Sequence, residues 1–287
     1  MSFFSKEPGR LVFTSFSPLH WTVIGVLALV IVVTMIFRAR LRSNPRIRRY
    51  LPVWIGCVAW VLEIAYHVWT FSTHQDFIFN VVPLELCYIA LLGTVVLAIT
   101  RSHAVFEIYY FISVGALASV LFPAFGGYGP DHLRFWHYFM CHCYIIWLTA
   151  WYLGVEKYRL RRSAYLRLLV FLVPVAALAR LVDWKFGVNY MFLAGPSSSS
   201  SPLDFLGGGV GYFVKLVIVA LVIFALMYLV APKEPRRSQR SDAKRHATRH
   251  DDWKTGASQG NAGSLADRPP TGSHNSGTPE VLAHDVG

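Results

Sequence analysis

Two pairs of side chains that can ligate metals or move protons recur at helical spacing: Glu63 with His67, and His137 with Cys141, each four residues apart. On an α-helix that spacing stacks both members on one face, one turn apart. A carboxylate, two imidazoles and a thiol on two such faces are donor types that suit a divalent transition metal. His67 and His142 would be the axial pair of a haem. A second carboxylate, Glu85, would extend Glu63 and His67 into a proton relay. Two residues beyond Glu85 stands a thiol, Cys87. A thiol and an imidazole such as His142 are the pair used in acyl transfer, where the base takes the thiol proton and the thiolate attacks. Taken singly, each polar group is more often interhelical glue worth about 0.6 kcal/mol. Cys57, Cys141 and Cys143 read as small packing hydrophobes.

The elements that must position these residues are membrane spans. At 54% hydrophobic and 15% charged over 287 residues, the chain is too apolar for an ordinary soluble domain. Seven stretches approach the roughly 20 residues a helix needs to cross hydrocarbon: 19–37, 51–71, 83–100, 104–122, 135–153, 165–182 and 210–231. The expected fold class is an all-α membrane protein, a bundle of about seven transmembrane helices. Arg38, Arg40, Arg42, Arg46, Arg48 and Arg49 crowd the first loop, and Lys157, Arg159, Arg161 and Arg162 the fifth. Short cytoplasmic loops are enriched in such residues, so the N-terminus is expected outside and the C-terminus in the cytoplasm. The domain reading is an extracytoplasmic segment 1–18, a transmembrane domain 19–231, and a basic tail 232–287. The tail's Ser, Gly, Pro, Arg and Asp content predicts disorder. The net charge of +11 lies beside apolar spans, which points to anionic lipid head groups rather than to nucleic acid. Membrane lipids are the expected partners. Glu-x-x-x-His alone does not define a metal site, so no metal and no other cofactor is expected.

At 1.5 Å per residue, Glu63 and His67 sit about 12 and 6 Å beneath the outer boundary of the second span. Glu85 and Cys87 lie about 3 to 6 Å deep at the start of the third, and His137 and His142 about 3 and 10 Å deep in the fifth. The sixth ends outside near Arg180 and Asp183. The outer halves thus gather the ionisable groups, and a polar pocket opening to the outer leaflet is predicted. There Arg134, Arg180 and His132 would contact a lipid phosphate. A transporter would need polar groups on both sides, and the inner halves offer little beyond Glu107.

Val82-Pro83-Leu84-Glu85-Leu86-Cys87, the histidine-bearing stretch Phe135 to Ile146, Asn189-Tyr190-Met191-Phe192-Leu193 and Ser201-Pro202-Leu203-Asp204-Phe205-Leu206-Gly207 resemble the YwaF-like family of bacterial integral membrane proteins. The resemblance covers about residues 15 to 231. It implies a multi-pass protein of a bacterial plasma membrane. That family is distantly similar to the eukaryotic transmembrane protein 164 group, whose members are described as phospholipid acyltransferases. By that resemblance Cys87 would be the nucleophile and His142 its base; independently of it, triad logic has an acid such as Glu63 orient the imidazole. His67, Glu85, His132, Arg134, His137, Arg180, Asp183, Asn189 and Tyr190 would line the substrate site. The chain departs from the family strings at Glu85, where histidine is usual, and at Gly207-Gly208-Gly209.

Overall fold

The computed structural model describes residues 3–74, 82–196 and 202–235. The expected disorder and lipid contacts of the tail from 236 onward fall outside the described residues. Chain contacts define two units, Met1–Glu234 and Pro235–Gly287, and every helix described here belongs to the first. Helix α1 is Pro18–Ile36, α2 is Arg38–Ser43 and α3 is Pro45–Ser72. They are followed by α4, Leu86–Thr100; α5, His103–Leu121; and α6, Leu133–Gly154. Then come α7, Ala164–Phe186, and α8, Val210–Val230. Among the described residues five of these (α1, α3, α5, α7 and α8) are long and apolar enough to cross a membrane, and α4 is a shorter apolar helix. The protein is an all-α membrane protein.

Local signals account for the helix ends. Ser17 caps α1 and Asn44 caps α3, the latter accepting from the amides of Arg46 and Ile47 at 3.1 Å, and each helix has a proline in its first turn. At the far end of α6, the guanidinium of Arg42 donates to the carbonyls of Val155 and Gly154 at 2.7 and 2.6 Å. A cation there satisfies carbonyls that the helix cannot and complements the negative end of its dipole. Arg42 was read from sequence only as a topology signal. The arginine-rich first loop is also not a loop throughout: Arg38–Ser43 forms a short helix.

Helix α6 is the hub, packed against α1, α3, α4 and α5. Its arginine, two histidines and many tryptophans and tyrosines lower its hydropathy, so its 22 residues in the middle of the bundle do not register as a typical span. Around it, helices such as α1 and α8 turn Leu29, Val30, Ile36, Val214, Ile218 and Leu229 outward, the surface expected to face lipid. Tyrosine hydroxyls stitch the centre. Tyr109 donates to the Ile145 carbonyl at 2.9 Å, Tyr138 to that of Ser119 at 2.9 Å, and Tyr110 to that of Met227 at 3.1 Å.

Candidate functional site

The centre of the site is a carboxylate between two helices. On α3, Glu63 is 3% exposed, and its Oε2 accepts from His137 Nε2 on α6 at 2.8 Å. Its Oε1 lies 3.0 Å from His67 Nε2, one turn along α3, but out of line for a hydrogen bond. The Cys141 thiol, one turn below His137, is 3.8 Å from Glu63 Oε2 and 3.5 Å from the Ala59 carbonyl. Tyr66 stacks on the His137 ring at 4.0 Å and 4°, and Tyr88 stacks on His67 at 5.9 Å and 29°. Both i, i+4 pairs read from the sequence therefore meet face to face, because α3 and α6 pack along their length.

His142 lies 8% exposed one turn beyond Tyr138, and its Nδ1 is 2.5 Å from the Tyr138 carbonyl. A carbonyl only accepts, so Nδ1 carries the proton and Nε2 keeps its lone pair. The Glu63 carboxylate, expected to orient this ring, is at His137 and His67 instead. Cys87 sits in the first turn of α4, which comes close to α5 at Gly115: a Cβ at that glycine would meet Leu86 Cβ at 3.0 Å and the Cys87 amide at 3.8 Å. The Cys87 thiol lies within electrostatic reach of Glu63 and Cys141, and His142 within reach of Glu63 and His137. The thiol and the His142 ring share no hydrogen bond.

A second polar group forms where α4 meets the end of α7. Glu85 is the residue before α4 rather than within its first turn, and its Oε2 accepts from the Met191 amide at 3.2 Å. Asp183 Oδ1 accepts from the Tyr190 amide at 2.7 Å, while Oδ2 is buried without a hydrogen-bond partner among the described residues. Asn189 closes its own turn, donating to the Gly195 carbonyl at 2.9 Å and accepting from the Ala194 amide at 2.8 Å. Burial, with the charges of Glu85 and Asp183 adding to it, pushes the Tyr190 hydroxyl up to about 12, so it stays protonated. Arg180 is exposed on α7.

The residues in front of α6 divide sharply. His132 is fully buried as the N-cap: its Nδ1 accepts from the Arg134 amide at 3.1 Å and its Nε2 donates to the Ser5 carbonyl at 2.7 Å. With both ring nitrogens engaged by backbone, His132 is a structural cap and not a phosphate contact. Arg134 lies over the rings of Tyr66, Trp69 and Tyr128 at 5.8, 5.9 and 5.1 Å, and has no carboxylate partner among the described residues.

Sequence reasoning overlooked His20 on the first span. It is fully buried, its Nδ1 accepting from the Phe16 amide at 2.9 Å and its Nε2 donating to the Val120 carbonyl at 2.7 Å. A histidine three residues past the capping Ser17 was the available signal. A hollow lined by Arg48, Arg49, Arg101, Tyr144, Tyr152 and Glu156 opens at the opposite end of α3 from Glu63.

Residues 15–228 match the family model of the TMEM164 family. The chain belongs to the TMEM164 family. The match spans every transmembrane helix and stops at the end of α8, so both polar groups of this TMEM164-family protein lie inside it. No curated protein and no solved structure matches the chain.

Proposed function

We propose that this TMEM164-family protein transfers an acyl chain between membrane lipids, with the Cys87 thiol as nucleophile and His142 as its base. The observation that carries the reading is the anchored His142 ring: Nδ1 is held at the Tyr138 carbonyl, so Nε2 is the nitrogen able to accept a proton. In the proposed reaction His142 Nε2 takes the thiol proton as Sγ attacks the ester carbonyl carbon of a lipid. The ester C–O bond breaks, the imidazolium returns the proton to the departing alkoxide, and a thioester remains on Cys87. A second lipid hydroxyl, deprotonated by the same nitrogen, then takes the acyl group and restores the thiol.

Thiol and ring must close on one another when substrate enters, a tightening common to nucleophile and base pairs. Arg134, backed by three aromatic rings and free of a carboxylate partner among the described residues, suits a lipid phosphate. We place the protein in the plasma membrane of a bacterium, following the YwaF-like strings, with α4 and α6 entering from the outer face.

The test is acyl exchange in nanodiscs holding a phospholipid with labelled chains and an unlabelled lysophospholipid. Cys87→Ser and His142→Ala are expected to lower exchange at least about 100-fold, the lower end of general-base contributions. Exchange that persists in Cys87→Ser, with the protein folded, would remove the reading.

A further inference from the structure

Beyond the acyl-transfer reading, and independent of it, we propose that Glu63, His137 and Cys141 form a site for a divalent transition-metal ion of the zinc class. The ligand atoms, a carboxylate oxygen, an imidazole nitrogen and a thiol sulfur, all lie within 4.8 Å of one another, and all three residues are buried. Tetrahedral zinc holds nitrogen and oxygen at about 2.0 to 2.2 Å and sulfur at about 2.3 Å, so its ligands stand some 3 to 4 Å apart. Glu63 Oε2 stands 2.8 Å from His137 Nε2 and 3.8 Å from Cys141 Sγ, close to those edges.

A second observation points the same way. Glu63 Oε1, on a side chain 3% exposed, has no hydrogen-bond partner among the described residues although His67 Nε2 is 3.0 Å away. Burying a carboxylate oxygen unsatisfied is costly, and a cation that draws the carboxylate toward it removes the cost. His67 lies outside this group of three, at the other oxygen of the carboxylate. His137 is fixed from the side by Tyr66, stacked on it at 4.0 Å and 4°, the kind of support that orients a ligating imidazole. The donor set of one carboxylate, one thiolate and one imidazole selects zinc-like ions over magnesium or calcium, which take oxygen ligands.

On binding, the neutral His137 ring carries its proton on Nδ1 in place of Nε2, which is freed for the metal, and Cys141 loses its thiol proton to the medium. Glu63 of α3 and the His137–Cys141 pair of α6 become a clamp between the two helices. Cys141 is thereby a ligand and not a packing hydrophobe, and Cys87 is left outside the site.

Full-length protein in nanodiscs, stripped with chelator, loaded with Zn²⁺ and desalted, is expected to retain one equivalent by elemental analysis. Loading with Co²⁺ instead is expected to give a thiolate-to-cobalt charge-transfer band. Cys141→Ser should abolish that band and weaken zinc binding at least about 100-fold, the upper range for losing even a supporting outer-shell partner. Glu63→Gln should weaken zinc binding as well, and Cys87→Ser should change neither readout. Wild-type protein that retains no zinc, or a cobalt spectrum unaltered by Cys141→Ser, overturns the proposal. Retained zinc in a Cys87→Ser protein without acyl exchange would uphold both readings, and acyl exchange without zinc would uphold only the first.

Discussion

Glu107 is fully buried near the N-terminal end of α5, where its carboxylate accepts from the Arg161 amide at 2.9 Å and pairs with the Arg167 guanidinium. The sequence showed an acid in an otherwise bare inner half, but not its partners, which come from the loop before α7 and from α7 itself. Hydrogen bonds to charged groups contribute about 1.5 to 3 kcal/mol. Glu107→Gln keeps the shape and removes the charge, so it should lower the unfolding midpoint in detergent by about 3 to 12 °C, at 2 to 4 °C per kcal/mol for a protein of this size. Thermal scans monitored by circular dichroism check this, and an unchanged midpoint would show the pair to be without net effect. The same contrast holds at Glu63: its residue type and its distance from His67 were legible, whereas His137 as its hydrogen-bond partner was not, because that contact joins residues 74 positions apart.

At the level of helices, the α3–α6 contact sets the geometry of the site. It depends on Gly56, where an added Cβ would meet the Tyr144 hydroxyl oxygen at 2.5 Å and Cζ at 3.0 Å. Tyr144 is not free to withdraw, since its hydroxyl donates to the Pro52 carbonyl at 3.0 Å. Small residues are what allow membrane helices to approach, and overpacking costs about 1 to 3 kcal/mol. Gly56→Ala should therefore destabilise the protein by that amount in denaturant titrations. Tyr144→Phe, by removing the obstructing oxygen, should make the double variant less destabilised than the sum of the singles. Strict additivity would show the two residues to be uncoupled. All seven predicted spans have a corresponding helix, because apolar length is a local property. The short α2, the extension of α7 to Phe186 and the place of Glu85 just before α4 depend on caps and neighbours that hydropathy does not register.

Across the whole molecule, the N-terminal segment read as a plain extracytoplasmic stretch is a cover. Trp69 donates to the Phe4 and Ser5 carbonyls at 3.1 and 3.0 Å, Tyr128 to that of Lys6 at 2.8 Å, and the Leu133 amide to that of Phe3 at 3.0 Å. Asp131 Oδ2 accepts from the amides of Arg10 and Leu11 at 2.7 and 3.2 Å. Desolvation opposes ionisation of this carboxyl, but the two amides outweigh it and hold it below the usual carboxylate range. A depressed value means that the ionised form stabilises the docked segment above the unfolded pKa of about 3.9, and that this is lost as pH falls through the folded value. Hydrogen exchange at Arg10 and Leu11 should show protection that is flat above about pH 4 and declines below it. Asp131→Asn should be less protected at neutral pH and lack the decline. A decline of equal size in that variant would assign the effect to another group.

Composition and hydropathy by themselves determined that this chain is a helical membrane protein and where its apolar helices lie, since the transfer of an apolar segment into lipid depends on that segment alone. Spacing on each helix determined which side chains share a face. Only the tertiary structure decided that Glu63 meets His137 and Cys141, that His132 is consumed as a cap and that residues 3 to 16 lie over the end of α6, because hydrogen bonds and ligand geometry act over about 3 Å between segments whose mutual register no local pattern encodes.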